Sequence, residues 1–231
     1  MRTQNISVDH KIPGIVYGEP SEWVYLYIHG KRGCKEEALP FAEQADAMGY
    51  QVMAIDLPEH GERKNGGEKL LPWVAVPEMQ AAYTYAARRW KHVCLYAVSI
   101  GAWLSLEALQ QADLERVLLV SPVVDMEELI GTMMQWANVI EPQLKEAGEI
   151  PTAFGETLSW PYLCWVREHP YRWNAPTEVL YGNLDNLTPY HAIEQFRQKS
   201  GAHLTIMEGG EHWFHTPLQL VVLREWEKAN L

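Results

Sequence analysis

The chain has 231 residues, 47% of them hydrophobic and 21% charged, which fits one α/β domain with a sizeable core. Its formal net charge of −11 repels phosphate backbones, so nucleic acid is not an expected partner. No run approaches the ~18–20 apolar residues of a membrane span. No apolar leader follows Met1-Arg2-Thr3-Gln4-Asn5, and Cys34, Cys94 and Cys164 are widely spaced without a C-x-x-C pair, so a reducing, cytoplasmic setting is expected.

Residues 6–8 and 15–17 read as short strands of an edge hairpin, interrupted by Pro13-Gly14 and Gly18-Glu19-Pro20. Residues 23–28, aromatic and β-branched, read as a stronger strand that ends in His29-Gly30-Lys31-Arg32-Gly33. Apolar positions at Ala38, Phe41, Ala42, Ala45 and Met48 have helical spacing, and Gly49 stops the helix. Residues 51–55 are the next strand, running into Asp56-Leu57-Pro58-Glu59-His60-Gly61. Residues 64–76 read as a loop, and 77–90 as a helix with proline at its start.

Cys94-Leu95-Tyr96-Ala97-Val98 is a buried-strand pattern that turns at Ser99, and a helix-forming run follows up to residue 112. Strand, sharp turn at serine and helix make a nucleophile elbow. The turn crowds its neighbours, so the residues two positions either side must be small, and here they are Ala97 and Gly101. Beyond it, residues 115–120 read as a strand leading to Asp125. The alternation returns with strand 177–181, helix 189–200, strand 203–207 and helix 217–228.

This alternation predicts a mostly parallel sheet flanked by helices, with ligands bound outside the carboxyl ends of the strands. It breaks once, between residues 126 and 174, in a stretch rich in Met, Trp and Tyr and interrupted by four prolines. A helical cap within a single domain, 1–231, is expected there. Met133, Trp136 and Trp160 from this insert, with Trp213, are candidates to line an apolar pocket.

A serine hydroxyl needs a positioned base. His212, in the glycine-rich loop after the last strand, is the candidate; His203 and His215 are placed less well. The base needs a carboxylate on its other ring nitrogen. Asp185, in Gly182-Asn183-Leu184-Asp185, is preferred, with Asp125 as runner-up. Asp185 also suits a turn or a helix cap, but Asn183 is available for the turn and Thr188 for the cap. The oxyanion needs two backbone N–H donors, and Ile100 and Lys31 are the candidates. The neighbouring Lys31-Arg32 pair is also a possible attractor for a negatively charged substrate group.

Together the elbow, the His29-Gly30 turn, the D-x-P-x-H-G segment, Gly182-Asn183-Leu184-Asp185 and Gly210-Glu211-His212 resemble the α/β-hydrolase superfamily over nearly the whole chain. The order Ser, Asp, His matches that family. Among its branches the chain looks closest to compact bacterial esterases of the dienelactone-hydrolase-like and acyl-esterase type. Position 99 is serine, where true dienelactone hydrolases have cysteine. The resemblance implies an α/β-hydrolase fold and a cofactor-independent serine hydrolase acting on small to medium carboxylic esters with an apolar group. Within the D-x-P-x-H-G segment it implies a structural role for His60 at the active-site rim.

Thioester or peptide cleavage by the same residues, and non-catalytic ligand binding on the same fold, are the alternatives. A metal-dependent hydrolase built on His29, His60 and Asp56 is disfavoured by the absence of an H-E-x-x-H motif or a close Cys/His cluster. No metal or cofactor is expected, and oligomeric state is not legible.

Overall fold

The computed structural model describes residues 1–231. The strands are β1 (Thr3–Val8), β2 (Ile12–Tyr17), β3 (Trp23–Ile28), β4 (Gln51–Ile55), β5 (His92–Val98), β6 (Val117–Val120), β7 (Glu149–Pro151), β8 (Thr157–Ser159), β9 (Thr177–Gly182) and β10 (His203–Met207). The helices are α1 (Leu39–Ala47), α2 (Pro72–Ala87), α3 (Ile100–Ala108), α4 (Met126–Trp136), α5 (Glu141–Ala147), α6 (Trp160–Glu168), α7 (Tyr190–Ser200) and α8 (Pro217–Asn230). They fall into two compact units, Met1–Val124 with Arg172–Leu231, and Asp125–Tyr171.

The first unit holds an eight-stranded sheet in the order β1-β2-β4-β3-β5-β6-β9-β10. The β1–β2 and β2–β4 pairs are antiparallel and the remaining pairs parallel. Central strands such as β3 and β5 are apolar at nearly every position because both faces are covered. On one face Tyr25, Tyr27 and Tyr96 pack with Phe41 of α1 and Leu223 and Trp226 of α8. Tyr27 and Tyr96 stack with ring centroids 4.9 Å apart. Val24, Leu26 and Ile28 alternate to the other face and are fully buried, on the side where α2 and α3 pack.

Four local expectations change. Pro13-Gly14 does not interrupt the hairpin; it lies within β2. A side chain at Gly14 would crowd the Ala54 carbonyl at 3.0 Å, and Pro13, with no N–H to give, accepts from the Asp56 N–H at 3.0 Å. α2 starts at Pro72, and Pro77 sits inside it. The missing hydrogen bond at Pro77 is outweighed by burial of Ala75, Met79 and Ala82 on one face. The helix after Ser99 ends at Ala108, and that expected over 35–48 is a 3₁₀ turn, Lys35–Ala38, followed by α1.

The second unit joins α4, α5 and α6 to the antiparallel β7–β8 pair. Asp125 caps α4, its Oδ1 accepting the Glu128 N–H at 2.9 Å. Arg167 of α6 ties the helices together, donating to Glu127 at 2.6 Å and twice to Glu141 at 2.9 Å. Met126, Leu129, Ile130, Met134, Leu144, Leu158 and Leu163 are its buried apolar residues. Trp173 belongs to the first unit, where its Nε1 donates to Thr177 Oγ1 at 2.8 Å.

Candidate active site

β5 ends at Val98, and Ser99 takes φ 52° and ψ −121° before α3 begins at Ile100. That left-handed backbone is costly for a side chain, of order 1–3 kcal/mol, and it persists because its neighbours hold it. The Ser99 N–H donates to the Val120 carbonyl at 3.1 Å, and the Ser99 carbonyl accepts from Ala102 at 3.0 Å and Val123 at 3.1 Å. A side chain at Gly101 would run into the carbonyl oxygens of His29 and Ile28. Glycine is therefore required where the helix start passes the end of β3. Ala97 is fully buried.

The Ser99 hydroxyl lies 2.7 Å from His212 Nε2, and His212 Nδ1 lies 2.7 Å from Asp185 Oδ2. A carboxylate oxygen accepts, so Nδ1 carries the proton, and Nε2 faces the hydroxyl as an acceptor. The Asp185 side chain is fully buried and that of His212 nearly so. Asp185 Oδ1 also accepts the N–H groups of Leu187 at 2.8 Å and Thr188 at 2.9 Å. Turn former and histidine partner were expected to be competing roles for Asp185. They coexist, because each oxygen of the carboxylate serves one of them. Thr188 does not cap α7: its hydroxyl donates to the Pro122 carbonyl at 3.0 Å, and the α7 cap position is Pro189. Asp125, the alternative acid, is occupied as the α4 cap.

The loops carrying Asp185 and His212 are braced to each other through backbone. Gly182 and Gly210 cross so closely that a side chain on either would strike the other's main chain. The Leu184 N–H donates to the Gly210 carbonyl at 2.8 Å, and Asn183 Oδ1 accepts the Gly209 N–H at 2.8 Å. Asn183 was expected as a turn residue; it acts as a strut between the loops. His203 pairs with Glu178 and His215 stacks on Trp213, so neither is placed with Ser99.

On the other side of Ser99 two further loops meet. The turn after β3 brings Gly30 so close that an added Cβ would lie 3.3 Å from Ser99 Cβ. Lys31 follows, exposed, and Ile100 is the first residue of α3, where N–H groups have no partner within the helix. His29 is fully buried; its Nε2 accepts the Leu57 N–H at 3.1 Å and its Nδ1 donates to the Gly30 carbonyl at 2.7 Å. Burial pushes its pKa down to about 4. His60 Nε2 accepts the Arg32 N–H at 2.8 Å and its Nδ1 donates to the Pro58 carbonyl at 2.6 Å. Asp56 accepts from Lys35 Nζ and the Lys35 N–H, both at 2.9 Å, and from the Glu62 N–H at 3.0 Å. Every donor atom of the metal-site alternative is thus engaged in holding loops.

Lys35, almost fully buried, also meets Glu62 at 2.7 Å and Glu36 at 2.9 Å. Burial works to lower its pKa, but the carboxylates of Glu62, Glu36 and Asp56 outweigh it and hold the ammonium above its usual range. Arg63 extends the network, donating to the Asp56 carbonyl at 3.2 Å, to Glu78 at 2.6 Å and to Glu68. Lys35, at the start of an expected helix, and Glu62 and Arg63, in the polar segment after β4, carried no signal in the sequence for this network.

Of the four candidate pocket residues, Met133 is half-buried in α4, Trp136 packs edge-on to Phe154, and Trp160 lies 5.6 Å from Lys145 Nζ, all in the second unit. Trp213, next to His212, is 74% exposed and stacks on His215 with centroids 4.7 Å apart.

The sequence matches no family model and no curated protein. The structure is similar to Est1E from Butyrivibrio proteoclasticus, with a TM-score of 0.78 at 18% identity over 98% of this chain and 96% of that one. Est1E is also known with ferulic acid bound. The mouse α/β hydrolase domain-containing protein 10 matches with a TM-score of 0.75 at 12% identity, covering 98% of this chain and 96% of that one. A thioesterase domain from the curacin biosynthetic pathway matches with a TM-score of 0.62 at 16% identity, covering 98% and 99%. By its sheet order and by these likenesses, the chain has the α/β-hydrolase fold.

Proposed function

We propose that the protein is a serine hydrolase that cleaves carboxylic esters through an acyl-enzyme intermediate. The observation that carries this reading is the unbroken relay from Asp185 Oδ2 through His212 to the Ser99 hydroxyl, each link 2.7 Å long. Ser99 Oγ attacks the acyl carbon while His212 Nε2 takes its proton. The N–H groups of Ile100 and Lys31 hold the oxyanion. His212 then protonates the departing alcohol. Water, losing its proton to His212, attacks the acyl-serine, and Ser99 regains that proton as the acid leaves. Asp185 orients the imidazole and stabilises it while charged.

The exposed ring of Trp213 beside His212 supports an apolar substrate group. Est1E, bound to an aromatic acid, supports including aromatic acyl groups among small to medium esters. The likeness to a thioesterase domain makes thioesters the second reading, separated by kinetics on matched oxygen and sulfur esters. The unpaired Cys34, Cys94 and Cys164 support a reducing, cytoplasmic setting.

The test is fluorophosphonate labelling of the wild type and Ser99→Ala, with hydrolysis of p-nitrophenyl esters from acetate to decanoate. The expected outcome is labelling and turnover in the wild type, with both lost in the variant. A folded wild type that is neither labelled nor active would replace this reading with non-catalytic ligand binding.

A further inference from the structure

The turn after β3 contains an unusual residue. The Gly33 N–H donates to the Gly30 carbonyl at 3.2 Å, closing a four-residue turn whose third residue, Arg32, has φ 65°. Lys31 does not share the positive φ, so the turn has the type II pattern, which ordinarily demands glycine or asparagine at its third position. Arginine there is strained. The type I turn would relieve that strain by rotating the central peptide, which changes ψ of Lys31 by about 150°.

His60 opposes that rotation. Its Nδ1 is committed as donor to the Pro58 carbonyl, so Nε2 presents a lone pair, and the Arg32 N–H fills it at 2.8 Å. The rotated peptide would turn the Lys31 carbonyl, a second acceptor, toward that lone pair. His60 is buried, and its ring centroid lies 5.1 Å from that of His29, so the ring has little room to turn away.

We propose that His60 is a positioning residue for the oxyanion site: by accepting the Arg32 N–H it holds the turn 30–33 in its left-handed form and fixes the Lys31 amide against Ser99. This rests on the reading of Lys31 as an oxyanion donor and says what keeps that donor in place.

The experiment measures kcat and KM on p-nitrophenyl acetate, per Ser99 site titrated with fluorophosphonate, for His60→Phe, Arg32→Val and the double variant His60→Phe/Arg32→Gly. His60→Phe keeps a ring but removes the acceptor. Arg32→Val leaves His60 intact and puts a β-branched residue where left-handed backbone is least tolerated. Each single variant is expected to lower kcat by about 10- to 100-fold, less than the 10²–10³ of losing an oxyanion donor outright, with KM changed by about threefold or less. Glycine takes the left-handed form without strain, so the double variant should recover at least about fivefold in kcat over His60→Phe. Site titration removes the effect of misfolded protein. Wild-type kcat in either single variant, or no recovery by glycine, would overturn the proposal. If His60→Phe does not fold, the exposed Arg32→Val decides alone. A wild type that is never labelled fails the hydrolase reading itself; a labelled, active wild type with unaffected variants fails only the role of His60.

Discussion

Two pairs of loops flank Ser99, and they are held by opposite means. On the Asp185–His212 side, loops after β9 and β10 are locked chiefly through main chain: Gly182 and Gly210 touch main chain to main chain, the Leu184 N–H closes on the Gly210 carbonyl, and the Asn183 amide is the one side-chain strut described between them. On the Lys31 side, loops after β3 and β4 are locked by side chains: two imidazoles and Asp56 are taken out of water to bond backbone groups, and the Lys35 ammonium is buried against Asp56. The main-chain crossing carries no charge and should not respond to pH or salt, whereas the second kind of brace depends on buried charge and on the protonation of histidine. The two sides of one site should therefore fail under different insults.

The sharpest separation is chemical. Asp185→Asn keeps an oxygen for Leu187 and Thr188 but loses the acceptor that sets the His212 tautomer. Its kcat on p-nitrophenyl acetate should fall about 10⁴-fold, while its urea midpoint stays close to that of the wild type. Lys35→Met strikes the other brace. It leaves the buried Asp56 carboxylate without its cation, and urea unfolding should show a loss of about 4 kcal/mol.

The pH response should come third. His29 is neutral in the fold down to about pH 4 but takes a proton in the unfolded chain near pH 6.5. Its contribution is therefore intact above pH 6.5 and is lost progressively as pH falls toward 4, by about 3 kcal/mol in all. The stability advantage of wild type over His29→Asn, followed by urea unfolding from pH 7 to pH 4, should narrow across that window. The smallest effect is Gly182→Ala, at about 2 kcal/mol from crowding against Gly210, with no dependence on pH. A pH-dependent loss there would erase the contrast between the two sides.

The same contrast explains what the sequence discloses. Strand β5 and the elbow were legible because small residues on either side of Ser99 answer a steric demand of the turn itself. The order of Ser99, Asp185 and His212, each after a strand, was legible from the α/β alternation. The two duties of Asp185 were not, since a carboxylate that bonds its own turn and one that bonds a distant histidine look alike in sequence. The ion network around Lys35 was hidden for a similar reason: its partners are far apart in sequence, and a polar loop is ordinarily a solvated one. The start of α2 was misread because Pro77 reads as a first-turn proline, whereas it lies inside a helix that begins at Pro72 and is held by burial, which only the packed helix reveals.

The crossing of Gly182 and Gly210 also bears on how the protein can be redesigned. Residues 182–188 and 207–213 should behave as one cassette: a length change in one segment moves the other, and with it either Asp185 or His212. Exchange of substrate loops with a relative should transfer both segments together. The turn 30–33 should likewise travel with 56–63, since His60 accepts the Arg32 N–H and His29, just before the turn, accepts the Leu57 N–H.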